Sequence, residues 1–294
     1  MTDRQRAYAH LHFCVFIWGF TAILGKLIHL QALPLVWWRV LLCSAVLLLI
    51  VPGSQIWRMP RRRFWQLSGI GALVGLHWLC FYGAIKIANA SVAVASMATT
   101  SFFTALVEPL LTRTRVKNYE LALGIFVLPG MALVVGNVSW TMRVGFMVGV
   151  VGALLAAIFS ALNKKVVDKD PPPPLAMSFV ELFAAFVVTS IALPVMLLNQ
   201  PSLQVLPQGW DWIWLAVLSG VCTLLPYYLT LKAMRYLSAF TANLIINLEP
   251  VYGVLLAALF FREDKEMNTA FYFGVLIILL AVFSHPFLRK RFDK

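Results

Sequence analysis

Apolar runs of near-bilayer length follow one another along the chain, separated by short charged or Pro/Gly-containing turns. They cover 10–29, 34–53, 65–87, 89–112, 119–137, 143–163, 174–198, 210–231, 236–260 and 268–286. A stretch of about 20 apolar residues spans the hydrocarbon core as a helix, so the pattern predicts an all-α membrane protein with ten transmembrane helices. The loops that remain are too short for a second folded domain. The first run follows Arg4 and Arg6 in the manner of a signal peptide, but no small-residue cleavage pattern ends it; it reads as a retained first span.

Composition agrees with this pattern. Of the 294 residues, 61% are hydrophobic and 12% charged, a balance in which water is not the solvent for most of the surface. The net charge of +12 would suit a nucleic-acid partner in a soluble chain; in a membrane protein it marks cytoplasmic loops. With the N-terminus inside, eighteen of the 24 Lys and Arg residues fall in cytoplasmic segments, five in external segments and span ends, and Arg39 within the second span. That asymmetry supports both the count and an orientation with both termini cytoplasmic, in the bacterial inner membrane. No nucleic-acid partner is expected. Cys14, Cys43, Cys80 and Cys222 lie inside apolar runs without CxxC spacing and read as small core residues. No phosphate loop, GxSxG elbow, HExxH or paired His/Cys spacing is present, so no catalytic residue, cofactor or metal is expected.

An internal repeat refines the picture. At an offset of 149, AIKIANASVA of the third and fourth spans aligns with AMRYLSAFTA of the eighth and ninth, and the match runs on to Arg113 against Arg262. The turn after the fourth span, RTRVK, carries net +3, whereas the aligned REDKE carries net −1. The same element therefore faces opposite sides. Five spans per half is odd, so a tandem duplication inserts upside down, as in secondary transporters. The expected repeats are 1–140 and 141–294. Pro171 to Pro174, between the sixth and seventh runs, read either as a stiff spacer or as a surface turn.

FIWGFTAILGKL in the first span and YLSAFTANLIINLEPVYGVLLAALFFRE across the ninth resemble the EamA-type, ten-span members of the drug/metabolite transporter superfamily. The resemblance covers essentially the whole chain. It implies spans 1–4 and 6–9 around a central cavity, with the fifth and tenth peripheral. Two departures are visible: the first-half counterpart of Glu249-Pro250 is Thr100-Ser101, and a different Glu-Pro pair, Glu108-Pro109, lies eight residues on.

Ionisable residues at bilayer depth are costly and face a cavity or a partner. At about 1.5 Å per residue, Glu249 lies roughly 20 Å from the cytoplasmic end of its span, Arg39 about 8 Å inside the external face, and Glu181 about 10 Å in from the cytoplasm. Glu108, about 6 Å in on the same count, reads as interfacial. Pro250 removes a backbone hydrogen bond beside Glu249 and loosens the helix there. Asn243 and Asn247 add amides to that helix. Glu249 therefore either faces substrate or pairs with Arg39 to hold the bundle together. A desolvated Glu249 could exchange a proton with substrate or medium, which makes protons a candidate coupling partner. His77, Trp78 and Tyr82 in the third span, with Trp18 and Tyr227, offer aromatic surface for stacking or cation–π contact, or pack the interior. Thr100 and Ser101 sit opposite Glu249 across the repeat axis. Arg39 and Glu181 are candidates for charge pairing or gating. Gly71-x-x-x-Gly75 and Gly145-x-x-x-Gly149 read as close helix approaches.

The leading expectation is a carrier that moves a small organic metabolite, amino-acid-like and outward, by alternating access, as a monomer or homodimer in contact with membrane lipid. An intramembrane lipid-modifying enzyme and a facilitative channel are the alternatives.

Overall fold

A computed structural model of the chain describes residues 1–136, 139–169, 171–246, 248–262 and 268–292. The first half comprises α1 (Asp3–Leu27), α2 (Ala32–Ile50), the short α3 (Gly53–Trp57), α4 (Arg61–Ile87), α5 (Ala90–Met97), α6 (Thr100–Thr112) and α7 (Asn118–Gly136). The second comprises α8 (Trp140–Lys169), α9 (Pro174–Asn199), α10 (Asp211–Ser219), α11 (Leu225–Ala233), α12 (Ala239–Ile246), α13 (Glu249–Phe261) and α14 (Thr269–Phe292). A π turn, 220–224, joins α10 to α11, and there is no strand among the described residues. Taking α5–α6, α10–α11 and α12–α13 each as one interrupted span, eight spans among the described residues are long and apolar enough to cross a membrane. The helices α7 and α14, of 19 and 24 residues, stand where the fifth and tenth of the expected ten would be.

Polarity runs inside out, as lipid solvation requires. Leu49 and Leu198 are 86% and 83% exposed, whereas Arg39, Asn163, Glu181 and Asn243 are buried. The chain is an integral membrane protein.

Interrupted helices recur at one offset. Adding 149 to α5 and α6 gives the bounds of α12 and α13, and α6 and α13 each end on an arginine in the left-handed conformation, Arg113 (φ 60°) and Arg262 (φ 54°). In each span the break is made by shortened i→i−3 turns: Ala98 and Thr99 bond back to Ala95 and Ser96, and Leu248 bonds back to Ile245. Around the first break Ser96, Thr99, Ser101 and Thr104 turn their hydroxyls onto backbone carbonyls of the preceding turn, which competes with the helix ladder. Around the second, Pro250 takes one of the first two positions of α13, where its missing N–H is an orphan anyway.

Packing shows the inversion. α5 packs against α13 and α6 against α12, so the first piece of each broken span meets the second piece of the other and the two spans run antiparallel. The remaining contacts pair in the same way, α4 with α8 and α1 with α11. α7 and α14 pack on each other. Small residues allow the close crossings: a methyl group at Gly71 would overlap the backbone of Glu181, and one at Gly149 would overlap the Ser96 side chain. Two inverted sets of five helices result.

Candidate functional site

The broken helices cross beside a cavity of about 110 Å³. A buried water needs about 10–15 Å³ on such a measure, so the space holds several waters or one small organic molecule. Its walls come from both halves: α1, α2, α4, α5 and α6 on one side, α8, the π turn, α11, α12 and α13 on the other. Among the described residues, α7 and α14 supply none of its lining.

Arg39 of α2 supplies the positive wall. It is 2% exposed, donates through Nε to Thr223 Oγ1 at 2.6 Å and through Nη1 to the Tyr82 hydroxyl at 2.9 Å, and lies 4.0 Å from the Trp78 ring centroid. Thr223 sits in the π turn and donates a hydroxyl hydrogen bond to the Leu218 carbonyl at 2.6 Å. The wide turn thus carries a hydroxyl to the guanidinium, as such turns commonly do at functional sites. A cation held by a hydroxyl, a phenol and an indole face is fixed in place while its charge is left uncompensated by a direct carboxylate.

Glu249 is the first residue of α13, 8% exposed, on the cavity wall beside Thr21 and within the field of Arg39. The N-terminus of α13 places backbone N–H groups and a positive dipole end at the same point. Thr100, its counterpart, opens α6 and also lines the cavity. Ser101, one residue on, is buried and turns its hydroxyl to the Ala98 carbonyl at 3.3 Å.

The other predicted residues divide between wall and support. Trp18, His77, Trp78, Tyr227 and Asn243 line the cavity, while Tyr82 and Glu181 stand behind it. Asn243 donates to Thr104 Oγ1 at 2.9 Å and accepts from Ser160 at 3.2 Å, so it ties both halves together at the wall. His77 Nδ1 lies 2.9 Å from the Gly152 carbonyl, which requires the proton on Nδ1 and leaves Nε2 as an acceptor. Tyr227 donates its hydroxyl to Glu181, which is fully buried on α9. Asn247 lies outside the described residues.

Several contributors were not foreseen. Asn163 lines the cavity and donates to Glu181 Oε2 at 3.2 Å; beside Lys164 and Lys165 it read as the cytoplasmic end of a span that in fact continues to Lys169. Thr223 owes its position to a π turn, for which hydropathy has no signal. Glu108 accepts the N–H groups of Ala239 at 2.9 Å and Phe240 at 2.6 Å, so a carboxylate of the first half caps α12 of the second.

Helical spans in two inverted sets, with a cavity where discontinuous helices meet, form the architecture of a membrane transporter. The EamA-like transporter family model matches residues 7–136 and again 143–284, and the chain belongs to that family of membrane transporters. A solved structure, described only as a crystal structure of a protein, superposes with a TM-score of 0.72 over 98% of this chain and 99% of that one, at 16% identity; its likeness speaks for the fold. No curated protein matches the chain.

Proposed function

We propose that the chain exports a small amphiphilic or zwitterionic organic molecule, amino-acid-like in charge, by rocking its two halves about the cavity. The observation that carries this reading is the division of charge around one small cavity. The Arg39 guanidinium faces the cavity from α2, Glu249 faces it from the start of α13, and indole and phenyl surface from Trp18, Trp78, Phe81 and Phe159 fills the wall between. Arg39 suits a carboxylate, Glu249 an amino group, and the aromatic faces an apolar side chain.

Alternating access follows from where the walls belong. Both broken helices change direction beside the cavity, and Asn243 and Glu108 bridge the halves by hydrogen bonds that a rocking motion would exchange. Both termini would lie in the cytoplasm of a bacterial cell, with protons as the coupling ion and the chain acting as a monomer or homodimer.

Proteoliposomes containing the purified protein and preloaded with a panel of labelled amino acids, amines and sugars test the reading. Saturable flux that is accelerated by unlabelled compound on the opposite side supports a carrier. Linear, non-saturating flux of every compound, or none of any, overturns it.

A further inference from the structure

Behind the cavity wall lies a second polar cluster that the division of charge above does not use. Glu181 on α9 is fully buried, and its Oε2 accepts from the Tyr227 hydroxyl of α11 and from Asn163 Nδ2 of α8 at 3.2 Å. Its other oxygen, Oε1, has no hydrogen-bond partner among the described residues, and neither has the Asn163 carbonyl oxygen Oδ1. Both are acceptors on two groups already joined by one hydrogen bond. Leaving a buried acceptor unmade costs about 1–3 kcal/mol each. One proton on Oε1, donated to Oδ1, satisfies both and closes a cyclic acid–amide pair.

The surroundings supply nothing else that does this. α4 crosses so close that Gly71 touches the Glu181 backbone, sealing that side. Among the charged and titratable groups on the elements around α9, Arg39 of α2 is engaged by Thr223 and Tyr82, and Cys43 points to the Ser219 carbonyl. On α4, His77 bonds the Gly152 carbonyl, Tyr82 bonds Arg39 and Lys86 donates to the Ile28 carbonyl at 2.6 Å, with Cys80 between them and Arg61, Arg62 and Arg63 at the start of the helix. On α8, Lys164 pairs with Asp168 at 2.5 Å, beside Lys165 and Lys169. On α11, Tyr227 is the group that reaches Glu181, ahead of Tyr228 and Lys232. No cation neutralises Glu181 among the described residues, and its two partners, Tyr227 and Asn163, are themselves cavity wall.

We propose that Glu181 is a proton-binding site, filled from the cavity past Tyr227, whose occupancy sets how α8 and α11 are held against α9. The step is a simple acid–base one: a proton from cavity water forms an O–H bond at Oε1, Asn163 Oδ1 accepts it, and hydroxide remains in the water. With the proton bound, α8, α9 and α11 are tied through one neutral cluster. With it gone, the Asn163 amide still donates to Oε2, but a bare carboxylate oxygen faces the amide oxygen Oδ1 and that half of the tie is lost. The link from this movement to transport rests on the carrier reading above; the proton site itself does not.

Infrared difference spectroscopy of the full-length protein in lipid, stepped from neutral to strongly alkaline pH, reads the site directly. A protonated-carboxyl carbonyl band component is expected that disappears at alkaline pH, is absent in Glu181→Gln and is shifted in Tyr227→Phe, while Glu249→Gln retains it. Protection factors of the α11 amides, with the intrinsic rise of exchange with pH divided out, are expected to fall across the same transition in the wild type and to lose that response in Glu181→Gln. Should Glu181→Gln fail to fold, the Tyr227→Phe band shift still decides. The proposal is overturned by a band that ignores Tyr227→Phe, by one that goes missing with Glu249→Gln instead, by displacement of the band on adding sodium chloride at fixed pH, or by α11 protection factors that are indifferent to pH. A clean proton site with no metabolite flux in proteoliposomes would strike the carrier reading alone.

Discussion

Ala90–Met97 and Thr100–Thr112 in the first half stand opposite Ala239–Ile246 and Glu249–Phe261 in the second, every bound shifted by 149, yet the two breaks are built from different chemistry. The first is a run of hydroxyls, Ser96, Thr99, Ser101 and Thr104, folded onto their own backbone. The second has a carboxylate and a proline, Glu249 and Pro250, at the start of α13. Their caps differ too. α5 is capped by Asn89, which accepts from Val92 at 2.9 Å, and α12 by its counterpart Ser238, which accepts from Thr241 at 3.1 Å, but α12 adds a second cap across the interface from Glu108. Two inverted copies that share a backbone have thus divided the work: the first half carries a neutral break and lends its Glu108 to the other, and the second half brings a charge to the cavity.

If that division is functional, erasing it should matter most at its charged end. Glu249→Gln makes the second break as neutral as the first while keeping shape and size. Loss of a charge-assisted contact is worth about 1.5–3 kcal/mol, so turnover of the cavity's substrate should fall roughly 10- to 150-fold. Initial-rate counterflow in proteoliposomes measures it, and rates within threefold of wild type would mean that Glu249 holds the bundle and does not handle substrate. A pH response unchanged in this variant would remove Glu249 from the proton path.

The caps should come next. Glu108→Ala strips two backbone N–H groups of a buried carboxylate partner and is expected to lower stability by about 2–3 kcal/mol. Asn89→Ala removes a single local cap, at about 1 kcal/mol. Thermal unfolding in one detergent compares them, and equal losses would mean that the cross-half cap is no more than a local one.

How far all this could be read in advance follows from which physics leaves a trace in one dimension. Hydropathy is local, so ten spans were visible from run length. The sign change between RTRVK and REDKE is also local, and it announced the inversion that the antiparallel crossing of α5–α6 with α12–α13 displays. Even the offset of 149 carried through to the helix ends. Partnerships between distant residues leave no such trace. Glu108 at a shallow depth looked interfacial, and only the fold brings it under α12. Asn163 next to two lysines looked like a membrane edge, and the π turn that carries Thr223 to Arg39 has no hydropathic signature. Proline in the ninth span pointed to its break, but the fourth span breaks at Ala98–Thr99 with no proline at the break, Pro109 lying ten residues on inside α6.

That last contrast allows the gentlest test. Were Pro250 the cause of the second break, its removal would let the ninth span close into one helix, withdraw the α13 N-terminus from the cavity and impair transport strongly. The first half argues otherwise, since an equivalent break forms there from i→i−3 turns with a threonine, Thr100, where Glu249 stands and a serine, Ser101, where Pro250 stands. What the two breaks share is their crossing against each other, α5 on α13 and α6 on α12, and a continuous helix in either span would disturb both contacts. Pro250→Ala should therefore keep the break and change stability by less than about 1 kcal/mol, the usual scale for a proline acting through the unfolded chain. Counterflow should stay within about threefold of wild type, a difference under about 0.7 kcal/mol. A tenfold loss would return the break to proline and leave the likeness of the two halves as one of outline alone.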